Sequence, residues 1–527
     1  MPDLDLDLDP DIALRRSAVA VLRGNWELGY TVPSRRLYPH QWSWDSAFIA
    51  IGWARVAPGR ARRELESLLG AQWADGRVPQ IVFNPDTPRN AYFPGPDFWR
   101  SPTVPGAPGL ETSGLVQPPL HARAALDVYR ADPGAGRGFL ARVYPRLCAQ
   151  HDYLRRERGD GGGLAVIVHP WESGLDNSPS WDAELAGVST RPEVRAVRRD
   201  LDHADPGERP TDRDYARYVT LAERYRDHGY RDASALPEHP FVMVDPLFNA
   251  LLGWSEEALA EIADVLGEPS EPHRRRAVEV RDALLARHYD PAAGQFFAAG
   301  GHRDGRGRVD QPRAAEQPGA ERSPAEHTVG GLVPLVLDLP DEVVEALVRT
   351  ATGPRFALND RVPLPSYDLT GAAFDPTRYW RGPAWVNTSW LVLQGLRRHH
   401  RYSEATSLRA ALLAAVRHGG FREYYHPVGG AGHGSTDFSW SAALTLDVLA
   451  ESPSPAHAVR AADLPADSSR ADASPADASP ADASPADSSR ADASPADSSP
   501  ADSSPADSSP ADASPADASP ADLRTAQ

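Results

Sequence analysis

The sequence contains no lysine: all 55 of its basic residues are arginine. We read that as coding bias, because the arginines form no basic stripe of the kind a phosphate-tracking surface needs. One cysteine among 527 residues excludes an intramolecular disulfide framework and any multi-cysteine metal site. That residue, Cys148, lies in the apolar helical stretch YPRLCAQHDYL, which predicts a buried structural thiol rather than a nucleophile. The N-terminal MPDLDLDLDPDIALRRSAVAVLRGNW lacks a basic region and a long apolar run, so the expected location is the cytoplasm. Motifs for zinc proteases, EF-hand loops, serine hydrolase elbows, Walker A and dinucleotide folds are missing, and no metal or cofactor is expected.

Aromatic residues are missing from the last 65 positions, whereas all 13 tryptophans fall between Trp26 and Trp440. A five-residue repeat, PADSS or PADAS, runs from Pro465 to about Asp522; proline at every fifth place breaks helices, and Ala, Ser and Asp offer nothing to bury. Residues 463–527 are therefore expected to be a disordered tail, and residues 1–462 the folded domain. The tail is read either as a solubilising spacer or as drift of a repetitive coding sequence. Of the net charge of −18, the tail holds 13 Asp against 3 Arg, leaving about −8 for the rest. That is ordinary solubility charge.

What is present is helical periodicity. Apolar residues recur at helical spacing over 12–24, 46–57, 60–73, 114–131, 139–157, 213–229, 245–265, 270–288, 326–338, 341–350, 384–399, 404–418 and 438–450. Strand-like runs are scarce, LAVIVHP at 164–170 being the clearest. A dozen helices joined alternately by short turns and long loops predict an all-α hairpin array or toroid. The long loops 25–45, 77–112, 168–183, 352–385 and 419–437 gather the aromatic and carboxylate residues, and sites are usually built on such loops.

Three stretches carry chemistry. HPWESGLDNSPSWD, residues 169–182, sets Asp176 among Trp and Pro walls, where apolar surroundings raise a carboxyl pKa towards neutrality. The same Asp176 or Asp182 would also suit a helix cap. In GGFREYYHPVGGAGHGSTDFSWSAAL, residues 419–444, Glu423 is either catalytic or a surface ion-pair residue, and Ser435 or Thr436 is the expected helix cap. RYWRGPAWVNTSWLVLQGL, residues 378–396, puts Trp390 in the core and leaves Trp380 and Trp385 free to face a pocket. With Trp42, Trp44 and Asp45 of YPHQWSWDSAF, these indoles suggest a sugar site, although plain core packing uses the same residues. Two carboxylates in that setting are what glycoside hydrolysis requires. The His399-His400 pair sits where a helix C-terminus favours cations, not where a metal would bind.

These motifs, in this order from about residue 12 to 450, resemble glycoside hydrolase family 63, in particular its bacterial branch of glucosylglycerate and mannosylglycerate hydrolases. The resemblance implies an (α/α)6 barrel and an inverting mechanism, with Asp176 as general acid and Glu423 as general base. Inversion would set their carboxyl groups roughly 6.5–9.5 Å apart. It further implies that Trp42, Trp44, Asp45, Trp171, Gly174, Trp380 and Trp385 shape the sugar pocket. Tyr38, Gln80, Gln117 and Tyr379 fall nearer the leaving group, which in this branch is glycerate. An anionic leaving group calls for an arginine fork; TDRDYARYVTLAERY offers Arg213, Arg217 and Arg224, and Arg217 is the expected choice, its helical setting equally suiting an i,i+4 ion pair. The rivals are an α-glucosidase for a neutral sugar such as trehalose, and a sugar-binding protein without catalysis. The aromatic loops are expected to be exposed, which leaves self-association open. The stretch 299–326, rich in Gly, Pro and charge, is expected to be either a mobile loop over the entrance or a plain exposed excursion.

Overall fold

The computed structural model describes residues 9–190, 198–300, 326–360 and 362–450. The repeat tail and most of the 299–326 stretch lie outside the described residues.

Six inner elements close into a ring. Helices Ser43–Ala54, His121–Ala131 and Pro246–Leu266 are followed by the 3₁₀ turn Val333–Val336, then by Val386–Arg398 and Ser439–Ala450, which returns to Ser43–Ala54. Alternating with them in sequence are the outer helices Pro10–Gly24, Pro58–Gly70, Pro133–Glu157, Glu271–Arg287, Asp341–Thr352 and Tyr402–Gly419. This is the (α/α)6 arrangement. Its layering is written in the side chains: every residue of Ser43–Ala54 is buried, while Pro58–Gly70 buries only Ala61, Glu64, Leu65, Leu68 and Leu69. A helix apolar all round belongs inside; one with a single apolar stripe packs on the outside.

Local chemistry sets several helix starts. Asp9, Asp132 and Asp245 each cap a helix that opens with proline, and Thr211 and Asp214 form a reciprocal capping box at the start of the additional helix Asp212–Asp227.

Connections alternate sharply. The chain passes from inner to outer elements in a few residues, as at Arg55–Ala57 and His399–Arg401, but returns through long segments such as 71–120, 158–245 and 353–385. Among the described residues the long segments therefore meet at the end of the barrel where the inner helices begin. Among the described residues the strands are two-residue pairs that staple these segments, including Gln41–Trp42 with Ile81–Val82 and Tyr424–Tyr425 with Gly432–His433.

Several local expectations change. The 326–338 stretch forms only 3₁₀ turns, because Gly330-Gly331 and Pro334 interrupt the α-helical ladder. The helix expected from 114 starts at His121, after Pro118-Pro119. LAVIVHP is not a strand of a sheet; Ala165 and Ile167 make isolated bridges to Gly159 and Met243. Cys148 is half-buried rather than buried, with its Sγ 3.7 Å from His273 Nε2, and burial raises its thiol pKa to about 11. The loop aromatics turn inward: among the described residues the exposed large apolar side chains include one aromatic, Tyr402, which removes the ground for self-association through those loops. No described helix is long and apolar enough to cross a membrane.

Candidate active site

The inner-helix end of the barrel holds a cavity lined by Asp176 and Glu423 together with Tyr38, Trp42, Trp44, Asp45, Gln80, Gln117, Trp171, Gly174, Tyr379 and Trp380. Loops hundreds of residues apart thus converge on one space. Asp176 and Asp182 do not act as the alternative helix caps: Asp176 lines the cavity, and Asp182 pairs with Arg381 at 2.5 Å. Glu423 is 1% exposed, which excludes its reading as a surface ion-pair residue.

Trp42 and Trp44 stand where the loop from Asn25 enters the first inner helix. Alternation puts them on either side of the start of the helix, and the loops complete that start: the Ser43 N–H donates to Gln80 O at 2.9 Å and the Trp44 N–H to Gln117 Oε1 at 3.2 Å. Gln117 therefore caps the helix with its oxygen and keeps its Nε2 for the cavity. Two buried polar atoms at the cavity, Gln80 Oε1 and Trp440 Nε1, find no partner among the described residues. Unpaired buried groups are costly, and an acceptor and a donor waiting in an indole-lined cavity match the hydroxyls of a sugar.

The turn carrying Asp176 is fixed from behind. His169 Nδ1 accepts the Trp171 N–H at 3.0 Å, and the Trp181 indole donates to Leu175 O at 2.8 Å. Glu172 is fully buried and takes a bidentate pair from Arg158, at 2.8 and 2.9 Å, plus the Val168 N–H at 2.7 Å. Arg158 continues to Asp232 at 2.6 Å, which also accepts from Tyr153 and Tyr225. Gly174 has φ +75°, and a Cβ there would run into the Trp44 indole, so glycine lets the turn lie against the sugar wall. Burial pushes the Asp176 carboxyl up to about 7; Arg209 opposes that rise and Glu423 adds to it. Burial likewise holds Asp45 well above the usual carboxylate range, with Glu423 and Asp176 contributing.

Glu423 is held directly. Its Oε1 accepts from the Tyr38 hydroxyl at 2.8 Å and from Arg209 Nη1 at 3.2 Å, and its Oε2 accepts the Ser435 N–H at 3.0 Å. Ser435 is not the expected helix cap: its hydroxyl lies 2.5 Å from that of Ser34, and the helix begins only at Ser439. Each carboxylate oxygen has two acceptor sites, so Oε2 retains one for water.

Two expected site residues are not brought to the cavity. Trp385 lies behind Trp380, parallel to it with centroids 3.8 Å apart, and props the wall that Trp380 presents. Arg217 pairs along its own helix with Asp214 at 3.5 Å and lines no part of the cavity. The cation at the cavity is Arg209, in the turn preceding that helix. It reaches Glu423, donates to the Tyr38 hydroxyl at 2.9 Å and lies 4.2 Å above the Tyr379 ring. Sequence reasoning passed over it in GERPTDRDY, where its position in a loop just before a helix start was the available signal. Asp200, Tyr92, Tyr215 and Trp440 also line the cavity without having been singled out.

Comparison with known proteins agrees with the fold. Residues 38–441 match the model of the mannosylglycerate hydrolase MGH1-like glycoside hydrolase domain. The mannosylglycerate hydrolase of Rubrobacter radiotolerans is 42% identical over 82% of this chain and 96% of its own. The glucosylglycerate hydrolase of Mycolicibacterium hassiacum is 34% identical over 83% and 97%. In three dimensions, the crystal structure of the family 63 mannosylglycerate hydrolase from Thermus thermophilus, in complex with Tris and D-glycerate, superposes with a TM-score of 0.73. That match is 38% identical and covers 82% of this chain and 99% of the other. The chain belongs to the MGH1-like branch of glycoside hydrolase family 63.

Proposed function

We propose that this glycoside hydrolase cleaves glucosylglycerate, mannosylglycerate or both, with inversion, using Asp176 as general acid and Glu423 as general base. The observation that carries the reading is the composition of one cavity, in which two separately held carboxylates, an indole wall and the Arg209 guanidinium meet.

Each part has a task. Trp42, Trp44, Trp171 and Trp380 give flat apolar faces against which a pyranose ring stacks, and Asp45, Gln80, Gln117 and the Trp440 indole bond its hydroxyls. A carboxyl with its pKa pushed up to about 7 keeps its proton in a large share of molecules near neutral pH, and from that form Asp176 protonates the glycosidic oxygen as the bond to the anomeric carbon breaks. Glu423 takes a proton from a water on the opposite face as that water's oxygen bonds to the anomeric carbon. The hexose leaves with its anomeric configuration inverted, glycerate leaves with its hydroxyl restored, and both carboxyl groups recover their protonation states by exchange with solvent.

Arg209 has five N–H groups, and the bonds to Glu423, Tyr38 and, through Nε at 3.5 Å, Asp200 still leave donors for the glycerate carboxylate. This gives the cationic role to Arg209 rather than to Arg217. The decisive experiment offers glucosylglycerate, mannosylglycerate and trehalose to the purified protein and follows the first-formed anomer by proton NMR. Release of the inverted hexose from a glycerate glycoside is expected. Turnover of trehalose alone would transfer the protein to the neutral-substrate class, and binding without turnover to the non-catalytic class.

A further inference from the structure

Next to Arg209 in the chain stands Glu208, a carboxylate that does not line the cavity and has no part in the scheme above. Its side chain is 20% exposed, yet it is bonded at every polar group. Oε1 accepts from His433 Nδ1 at 2.5 Å and Oε2 accepts the Gly434 N–H at 3.0 Å, while the Glu208 carbonyl accepts the Tyr424 hydroxyl at 3.0 Å. All three partners belong to the hairpin that carries Glu423.

The pairing is reciprocal residue by residue. Glu208 grips Gly434 while Glu423 takes the N–H of Ser435, the next residue. Glu208 grips Tyr424 while Arg209, the residue after it, takes the carboxylate of Glu423, the residue before Tyr424. Gly434 has φ +64°, and a Cβ there would stand 2.5 Å from Glu423 Oε2, so the backbone that Glu208 holds passes directly against the base. The segment around Arg209 is itself rigid: Arg198 ties Asp200 at 2.6 Å to Pro210 O at 2.9 Å and to Asp212 at 3.0 Å. Two stiff pieces therefore meet across Glu208, and their separation sets where the guanidinium stands relative to the base. A partly exposed carboxylate–imidazole contact contributes little to stability on its own; placed between these two pieces, it fixes a distance.

We infer that Glu208, with His433 as its partner, is a positioning residue that sets Arg209 against Glu423, and so aligns the leaving-group carboxylate with the base. The inference rests on Glu423 being the base and Arg209 the glycerate ligand. Misplacing reacting groups by about 1 Å costs on the order of a hundredfold in rate. The Glu208→Ala enzyme should accordingly lose about 10- to 100-fold in kcat/KM on the glycerate glycoside and distinctly less on the uncharged glycerol glycoside.

The test measures kcat and KM for both substrates, with Tm, in Glu208→Ala, Glu208→Gln and His433→Gln. Glutamine accepts the Gly434 N–H through its oxygen and bonds the imidazole through its amide, so Glu208→Gln should recover the glycerate-to-glycerol ratio, and His433→Gln should fall between the two. A Tm loss with that ratio unchanged would overturn the inference and leave Glu208 a structural staple. If Glu208→Ala does not fold, the ratio in His433→Gln decides in the same way. Glu423→Gln separates the two layers: activity surviving in it removes the base assignment, whereas an inactive Glu423→Gln beside an unchanged ratio in the Glu208 variants removes this inference alone. Should the panel identify a neutral substrate instead, a kcat loss on it in Glu208→Ala, restored in Glu208→Gln, is still required.

Discussion

The turn that carries Asp176 and the hairpin that carries Glu423 hold their carboxylates in opposite ways. The turn is gripped through its neighbours: Glu172 is locked by Arg158, Gly174 lies against Trp44 and Leu175 O takes an indole N–H. The hairpin is gripped at the carboxylate itself by a phenol, a guanidinium and a backbone amide. Donors bonded to a carboxylate favour its charged form, and at Asp176 burial outweighs the bonds from a backbone N–H and Tyr379. A base that must aim a lone pair at water can be fixed by its other lone pairs. The two supports thus differ in the sense that the proposed roles of acid and base require.

The largest expected effect breaks that comparison at the carboxylates. Asp176→Asn and Glu423→Gln should each lower kcat on a glycerate glycoside by roughly 10²–10⁴-fold. A glycosyl fluoride, whose leaving group needs no proton, should separate them: it remains a substrate for Asp176→Asn and not for Glu423→Gln. If Glu423→Gln hydrolyses the fluoride and Asp176→Asn does not, the roles are reversed.

Next in size is the scaffold behind the acid. Arg158, Glu172 and Asp232 are all within 1% of complete burial. Arg158→Met would leave Glu172 buried without its cation and Asp232 with Arg77 alone, 3.6 Å away, a change worth about 3–5 kcal/mol. Denaturant titration should show that loss as a lowered midpoint. On the base side, Arg209→Gln should show its main effect in binding instead, with KM for the glycerate glycoside rising by about tenfold or more, as for the loss of a charged hydrogen bond of about 1.5–3 kcal/mol. Equal KM changes for glycerate and glycerol glycosides would show that Arg209 serves only Glu423.

How much of this was legible before the structure depends on how local each signal is. Asp176, Glu423 and the tryptophans lie in contiguous motifs of aromatic and carboxylate residues, and their loops emerge from helices whose periodicity is plain. Their convergence follows from the alternation of short and long connections. Arg209 was hidden because it acts across 214 residues of sequence on Glu423, while Arg213 and Arg217 advertised themselves on a clear helix. Periodicity ranks residues by face and says nothing of the loop two residues before the cap. Trp385 failed for a related reason: spacing shows that an indole is near a pocket, but only packing shows which of two stacked indoles is in front. The 326–338 stretch had the apolar pattern of a helix, yet backbone preference at Gly330-Gly331 and Pro334 prevailed.

The smallest expected effect concerns stability against pH, and its sign follows from the acid's environment. Asp176 has a folded-state pKa of about 7 against an ordinary value of 3.8, because burial penalises its charged form. Between those values the folded protein binds a proton that the unfolded chain has released, so stability falls as pH rises through the window and is fully retained only below it. Glu64 and Asp245, also raised to about 7 by burial, act in the same direction. Buried neutral His40, His121 and His169, with pKa values lowered by burial to about 4, 4 and 3, act in the opposite direction, so a variant at one site isolates its share. Asp176→Asn removes the share of one, so at pH 8 it should melt a few degrees above wild type, with the gap closing towards pH 4. Glu423→Gln removes a carboxylate that three donors hold, and it should show no such gain. A thermal scan of both variants across that range carries the comparison of the two supports into stability, and an equal gain in both would show that the acid and the base differ in position alone.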